Sequence, residues 1–331
     1  MSLLKNFKFT AKGDKAISLG NGWFIDSKST VKLLAGSDVI TGRGGRIAFT
    51  DTVLTIGVFN AGKILGLQGS DSIKGLGRIG DAVGVYNAGT IDLGEGNDRI
   101  LANDGNVAVS LHNGVKGRPR DYGSIRLGNG DDAIVAYGIY WGIINYGTID
   151  LGAGSDKIQA YGLNTCGLQN YGRVSAGSGN DIIDTSSVDN VSEIDMGSGN
   201  DKITGLSGIR NIGFINMGDG NDTIDALTGG FSGWSRYVGD FEEDGKYDMG
   251  KGDDVVKGFG DGTFMGGAGN DSIELPSGRY RIETADVSGF YDITFTYSEI
   301  VMRVNGFESF GSGASASDFM AAASAGYVIF A

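Results

Sequence analysis

The sequence predicts an all-β protein: a right-handed parallel β-helix (solenoid) with an antiparallel β cap at its C-terminal end. Three observations lead to this fold. A glycine–aspartate phrase returns about ten times, an asparagine stands at a fixed distance before it, and apolar residues alternate in between. The chain has 331 residues with 60 glycines and 2 prolines, and 40% of its residues are hydrophobic. Collagen is excluded, because glycine does not recur at every third position and proline is almost absent.

The glycine–aspartate phrase has the form G-x-G-x-D-x-[IV], as in the segment from Gly94 to Ile100. It returns around seven further aspartates, and two weaker copies at Asp38 and Asp71 lack the first glycine. Glycine suits sharp turns that need a positive φ. The candidate turn residues are Gly94, Gly96, Asp98, Gly128, Gly130, Asp132, Gly152, Gly154, Asp156, Gly177, Gly179, Asp181, Gly197, Gly199, Asp201, Gly218, Gly220, Asp222, Gly250, Gly252, Asp254, Gly267, Gly269, Asp271, Asp38 and Asp71.

A second constant spacing links each turn to an upstream polar residue. An asparagine, or in one case an aspartate, precedes the turn aspartate by the same offset that separates Asn87 from Asp98: Asn60, Asn87, Asp121, Asn145, Asn170, Asn190 and Asn211. We expect these asparagines to face inward and to hydrogen-bond from coil to coil as a ladder, rather than to bind a ligand. Asn113 is separated from the rest of its repeat by an inserted segment.

The segments between turns alternate with a period of two, so that Ile91 and Leu93 share one face, as do Ile149 and Leu151. This alternation is typical of short strands with one buried face. Successive turn aspartates are too far apart in the sequence for tandem nonapeptides, and their spacing fits one turn per coil. Ten coils at about 4.8 Å each would then stack the aspartates into a column.

Such a column predicts a bound cation. Carboxylates about 5 Å apart repel by roughly 1 kcal/mol in water and by about 3 to 4 kcal/mol at an effective dielectric near 20. Ca²⁺ accepts 6–8 oxygen ligands in irregular geometry, and a glycine turn offers carbonyls beside one carboxylate. Soft metals would lack ligands, since Cys166 is the single cysteine of the chain and His112 its single histidine. The net charge of −13 also argues against nucleic acid as a partner.

The phrases Gly94-x-Gly96-x-Asp98-x-Ile100 and Gly267-Ala268-Gly269-Asn270-Asp271 resemble the calcium repeats of the repeats-in-toxin (RTX, hemolysin-type) family. The resemblance covers roughly residues 34–275. It implies several calcium ions held by turn carbonyls and aspartates, export by type I secretion, and folding triggered by extracellular calcium. The spacing departs from tandem nonapeptides and favours a wider β-helix. The alternative is a plain tight turn in which asparagine and aspartate cap their own backbone.

The departures from the repeat define the predicted organisation. Residues 1–30 are expected to form an N-terminal cap, residues 31–276 the calcium-binding solenoid, and residues 277–331 a C-terminal β cap with a tail that looks like a secretion signal. Two loops, 114–121 and 226–246, are inserted in the solenoid. The aromatic residues of loop 226–246 either contact a glycan or protein partner or fold back onto the scaffold.

These features predict a secreted, extracellular or cell-surface calcium-binding structural protein of a layer, sheath or filament, which self-associates. One alternative is an adhesin that binds a glycan or protein through loop 226–246. Another is a polysaccharide-acting enzyme that uses Lys116, Arg118 or Arg120. We expect no catalysis, because the zinc motif H-E-x-x-H, the G-x-S-x-G elbow and the P-loop are all missing. No apolar stretch has the length that a transmembrane helix needs, so no membrane span is expected.

Overall fold

The computed structural model describes residues 2–4, 8–19, 22–48, 53–77, 80–103, 107–116, 122–233, 245–296, 298, 300–312 and 315–330. The chain divides into two compact units, Met1–Ser186 (unit 1) and Ser187–Ala331 (unit 2). Short β-strands are the main regular structure of both. Within the described ranges, no helix is both long and apolar enough to cross a membrane.

The strands of unit 1 are short and follow one another with brief corners. They are β1 (Ser2–Leu3), β2 (Lys15–Leu19), β3 (Trp23–Ile25), β4 (Thr30–Lys32), β5 (Val39–Arg43), β6 (Gly45–Ala48), β7 (Val53–Asn60), β8 (Lys63–Leu65), β9 (Ser72–Leu76), β10 (Gly80–Asn87), β11 (Thr90–Glu95), β12 (Arg99–Asn103), β13 (Val107–Asn113), β14 (Ser124–Asn129), β15 (Ala133–Gly138), β16 (Trp141–Asn145), β17 (Thr148–Ala153), β18 (Lys157–Gly162), β19 (Cys166–Asn170), β20 (Arg173–Ser178) and β21 (Ile182–Thr185).

These strands form three sheets, and the chain visits each sheet once per coil. The sheet orders are β1-β3-β7-β10-β13-β16-β19, β4-β8-β11-β14-β17-β20 and β2-β5-β9-β12-β15-β18-β21. Neighbours are parallel, except that β6 pairs antiparallel with β7. A chain that returns to the same sheet with parallel strands after every third strand is a β-solenoid, as the period of the repeat predicts.

Stacked aliphatic residues fill the interior of unit 1. In the second sheet Ile64, Ile91 and Ile125 occupy one register position in successive coils, and each is fully buried. In the third sheet Ile73 and Ile100 do the same. Burying an isoleucine in this way contributes about 1.5 to 3 kcal/mol relative to an exposed side chain. The alternation seen in the sequence therefore sorts residues between core and outer face.

A column of stacked rings also runs through unit 1. The centroids of Tyr86 and His112 lie 4.6 Å apart with planes only 7° from parallel. Neighbouring rings continue the column at centroid distances of 5.0 to 5.6 Å. Its members are Phe24, Phe59, Tyr86, His112, Tyr146 and Tyr171. Such pairs add about 0.5 to 1.5 kcal/mol beyond their area burial.

Unit 2 repeats the three-sheet arrangement and then changes. Its elements are β22 (Val188–Asn190), β23 (Glu193–Ser198), β24 (Lys202–Gly205), β25 (Ile209–Asn211), β26 (Phe214–Asn216), β27 (Thr223–Asp225), β28 (Phe231–Ser232), β29 (Lys246–Asp248), β30 (Val255–Lys257), β31 (Gly262–Met265), β32 (Ser272–Glu274), β33 (Gly278–Thr284), β34 (Tyr291–Phe295), β35 (Val301–Asn305), β36 (Ser309–Ser312), β37 (Ser315–Asp318), α1 (Phe319–Ala325) and β38 (Tyr327–Phe330).

The sheets of unit 2 are parallel until the last coils. Their orders are β22-β25-β28, β23-β26-β29-β31-β35-β34-β33-β38 and β24-β27-β30-β32-β36-β37. The pairings β35–β34, β34–β33, β33–β38 and β36–β37 are antiparallel. The antiparallel strands predicted between residues 277 and 311 are therefore confirmed, whereas their role as a cap and the handedness of the coil stay predictions.

In unit 1, the parallel sheets begin earlier in the chain than the sequence suggests. The strand β2 already pairs in parallel with β5, and β3 and β4 join the other two sheets. Residues 1–30, which the sequence assigns to a cap, thus contribute to all three parallel sheets.

Candidate functional site: the carboxylate columns

Each glycine–aspartate phrase forms one corner between the second and third sheets. Both glycines of a phrase have positive φ, for example 96° at Gly94 and 127° at Gly96. They are also pressed against the corner of the previous coil, because a Cβ on Gly128 would lie 1.8 Å from the Gly94 carbonyl oxygen. A side chain is therefore excluded both by conformation and by space, which explains the repetition of glycine.

The turn aspartates stack into a column within each unit. The backbone N–H of one aspartate donates to Oδ1 of the next aspartate along the column. In unit 1 the distances are 2.6 to 2.8 Å, and the members are Asp14, Asp38, Asp71, Asp98, Asp132, Asp156 and Asp181. In unit 2 they are 2.7 to 3.0 Å, and the members are Asp201, Asp222, Asp254, Asp271 and Glu308.

The two weak copies of the phrase, at Asp38 and Asp71, thus take the same place as the others. Sequence reasoning missed Asp14 and Glu308. Both lack the two-glycine phrase, and one is a glutamate. A single glycine, Gly13 directly before the aspartate or Gly306 two residues before the glutamate, was the available signal.

A second, exposed column lies beside the first. It consists of the residue that precedes each turn aspartate, and its side chain accepts a hydrogen bond from the N–H of the equivalent residue one coil later. In unit 1 it comprises Ser70, Asn97, Asp131 and Ser155. In unit 2 it comprises Asn200, Asn221, Asp253 and Asn270. The hydrogen bonds of the two columns run in opposite directions, so each corner is bound to both neighbours. The turn aspartates cap the preceding coil rather than their own turn.

The predicted asparagine ladder is confirmed. In unit 1, Nδ2 of each asparagine donates to Oδ1 of the next at 2.8 to 2.9 Å, through Asn60, Asn87, Asn113, Asn145 and Asn170. In unit 2, Asn190 donates to Asn211 at 2.8 Å. Asn113 and not Asp121 supplies the rung at the inserted segment; Asp121 itself lies outside the described residues. Since their amides are bound to one another and to strand carbonyls, these residues stabilise the scaffold.

The second carboxylate oxygen of the turn aspartates stands apart from all of this hydrogen bonding. Oδ2 is buried and accepts no hydrogen bond within the described part of the chain in Asp38, Asp71, Asp98, Asp132, Asp156, Asp222, Asp254 and Asp271. These side chains are at most 2% exposed. A buried polar atom without a partner costs about 1 to 3 kcal/mol, and more when it is charged. The columns therefore hold a row of acceptors with an unmet demand.

The same burial shifts the proton equilibria of these carboxyl groups. Burial raises the pKa of Asp71, Asp132, Asp222 and Asp254 to about 7, and that of Asp98 and Asp156 to about 6. The hydrogen bond from the preceding coil only partly opposes this effect. A bound proton or a nearby positive charge would therefore relieve the cost of burying these carboxyl groups.

The corners can offer a cation carbonyl oxygens as well as carboxylates. A Cβ on Gly66 would lie 2.0 Å from the Leu93 carbonyl oxygen and 2.8 Å from Oδ2 of Asp71. Oxygens from two successive coils therefore both lie close to Gly66. Among the described side chains, no group of three or more His, Cys, Asp or Glu residues could hold a metal by itself. The donor set is accordingly one carboxylate oxygen per turn plus backbone carbonyls, which fits Ca²⁺ better than Zn²⁺.

The two inserted loops are only partly described. Residues 117–121, with Arg118 and Arg120, and residues 234–244, with Trp234 and Tyr237, lie outside the described residues. Phe231 is 5% exposed and packs against core aromatic rings, so this member of loop 226–246 belongs to the scaffold.

No protein-family model matches the chain, and no curated protein matches it significantly.

Proposed function

We propose that the chain is a secreted calcium-binding structural protein, which folds on calcium binding and self-associates into an extracellular layer, sheath or filament. The observation that carries the proposal is the row of buried Oδ2 atoms, from Asp38 to Asp156 and from Asp222 to Asp271, that accept no hydrogen bond from the described residues. A divalent cation beside each turn would replace the missing donors and turn the repulsion between stacked carboxylates into attraction.

Calcium would be held by the turn aspartates together with turn carbonyls, and it would supply positive charge rather than chemistry. A cation that binds only the folded chain adds its binding free energy to the free energy of folding. The stability of the solenoid should therefore depend strongly on the calcium concentration. The architecture supports a structural role, since most of the described chain belongs to the stacked coils of the solenoid. Export through the C-terminal segment 317–331 is part of this proposal.

The adjacent residues Asp131 and Asp132 provide a matched test. Asp132 is 2% exposed and belongs to the buried column, whereas Asp131 is exposed and belongs to the outer one. Asp132→Asn keeps an acceptor for the Asp98 N–H but removes the charge. We expect it to raise the unfolding temperature in EDTA at pH 8, where the buried carboxylate is ionised, and to lower it in calcium. Asp131→Asn should change neither.

The measurements are thermal unfolding by circular dichroism and calcium titration by calorimetry, each with both variants. If the wild-type chain unfolds at one temperature in EDTA and in calcium, and binds no calcium, the proposal is wrong and the corners are hydrogen-bonded turns only. Sedimentation with and without calcium tests self-association, and a monomer at high concentration in calcium would contradict that part.

A further inference from the structure

Glu308 occupies the place of a turn aspartate in the last coil of unit 2. In the register of the third sheet, Val255 pairs with Ser272 and Ser272 with Ser309. Glu308 therefore follows Asp271 as Asp271 follows Asp254. Gly306 stands two residues before Glu308 with a φ of 75°, as a positive-φ glycine stands two residues before Asp254 and Asp271. The last coil thus ends on a shortened phrase, glycine-x-glutamate.

The backbone contacts of Glu308 match those of the column. Its Oε2 accepts the Asp271 N–H at 2.7 Å, the role of Oδ1 in every other step. In return, the N–H groups of Glu308 and Ser309 donate to the Asp271 carbonyl oxygen at 3.0 and 3.1 Å. The glutamate side chain thus closes the row of carboxylates.

One buried carboxylate oxygen of this pair accepts no hydrogen bond from the described residues. Asp271 is fully buried, and its Oδ2 has no hydrogen-bond donor within the described residues. A Cβ on Gly266 would lie 2.7 Å from that Oδ2 and 2.2 Å from the Gly306 carbonyl oxygen. A carboxylate oxygen and a carbonyl oxygen from the two last coils therefore both lie close to Gly266. The exposed carboxylate of Glu308 is held beside them by the Asp271 N–H.

We infer that Asp271, Glu308 and the Gly306 carbonyl form a terminal site for a divalent, oxygen-ligated cation of the size of Ca²⁺. The inference rests on the proposed function, because it names the last site of the calcium-binding column and a ligand there that the repeat does not supply. It differs from the repeat in its ligand, a glutamate outside any two-glycine phrase.

The terminal site is tied to the C-terminal segment. The Glu308 carbonyl oxygen accepts the Phe319 N–H at 2.9 Å, and Ser309 pairs with Asp318. The Phe319 ring packs edge-on against Phe310 at 5.6 Å. An ion that fixes Glu308 therefore also fixes the start of α1, so its occupancy should protect residues 318–326 from exchange.

The test compares Glu308→Gln with Glu308→Asp in the full chain, with Glu283→Gln as a control at an exposed glutamate of the same unit. Glutamine keeps an oxygen for the Asp271 N–H, so the unfolding temperature in EDTA should not fall. Calorimetry with calcium should show one bound ion fewer per chain. Hydrogen exchange of residues 318–326 should need at least about tenfold more calcium for protection. Glu308→Asp and Glu283→Gln should keep the wild-type count.

Two results overturn the inference while leaving the proposed function intact. One is a wild-type ion count and exchange midpoint in Glu308→Gln. The other is an equal loss of the ion in Glu308→Gln and Glu308→Asp, which would assign a purely structural role to the length of the side chain. If the wild-type chain binds no calcium at all, the proposed function fails, and the terminal site fails with it.

Discussion

Units 1 and 2 build the same corner around different interiors. In unit 1, isoleucine stacks fill the core, and a ladder of five asparagines runs beside them. In unit 2, the register position of Ile215 passes to Tyr247 and then to Phe264, and Asn190 donates to Asn211. The aspartate column continues in both units with the same hydrogen bonds. The corner is therefore built in the same way around either interior, because backbone groups and the polar side chains of the two corner columns hold it.

The largest expected effect comes from the aromatic interior of unit 2. The rings of Phe264 and Tyr247 stack at 4.2 Å, and both side chains are fully buried. Phe264→Ala should cost about 3 to 5 kcal/mol of unfolding free energy through the cavity it leaves, and Phe264→Leu about half of that. Hydrogen exchange should locate the loss in unit 2. An equal loss of protection in unit 1 would show that the two interiors are not separable.

The asparagine ladder of unit 1 should come next. Asn113 accepts from Asn87 at 2.9 Å and donates to Asn145 at 2.8 Å and to the Thr148 carbonyl at 3.0 Å. Asn113→Ala leaves these buried groups without their partner, so we expect a loss of about 2 to 3 kcal/mol in chemical denaturation. The exposed Asn129→Ala is the control and should cost less than about 0.5 kcal/mol. Similar losses in both variants would mean that the ladder adds little.

The stability of unit 1 should depend on pH through the histidine in its ring column. Unit 2 contains no histidine. Burial lowers the pKa of His112 from 6.5 to about 4. The unfolded chain thus takes up a proton before the folded one does, and stability is lost as the pH falls from about 6.5 towards 4. The free energy of unfolding of His112→Phe, relative to the wild type, should therefore be about 2 kcal/mol higher at pH 5 than at pH 8. If the unfolding free energies of the wild type and the variant changed with pH in parallel, the His112 side chain would be exposed to solvent and not buried.

The smallest effect is expected on the outer face of unit 1. Arg126 lies 3.4 Å from Asp150 and 3.9 Å from Asp92, and its side chain is 59% exposed. Arg126→Gln should change the unfolding free energy by less than about 1 kcal/mol, because exposed ion pairs are screened by water and salt. A larger change in urea denaturation would show that charges on the sheet face contribute to coil stacking.

The sequence predicted the corner well because one residue type meets both of its requirements. Positive φ and close backbone approach both demand glycine at the same two places, so the phrase repeats almost unchanged. The strand faces followed from the alternation of residues such as Ile91 and Leu93, both fully buried. The constant offset between each asparagine and its turn aspartate likewise predicted the asparagine ladder.

Other features were hidden because their residue types vary. The ring column uses phenylalanine, tyrosine and histidine at equivalent places, which no single pattern captures. Glu308 escaped notice because the register of the third sheet, not a motif, places it under Asp271. The hydrogen bonds of the two corner columns run in opposite directions, and a sequence does not reveal which coil donates and which accepts.

The ladders also make the length of the chain between corners unimportant. The hydrogen bond from Asn87 to Asn113 measures 2.9 Å and that from Asn113 to Asn145 measures 2.8 Å, although an insertion follows Asn113. Doubling a loop costs only about 0.6 kcal/mol of closure entropy, which one buried amide pair offsets. A foreign peptide or a small domain could therefore be displayed after Asn113 while the coils above and below keep their alignment.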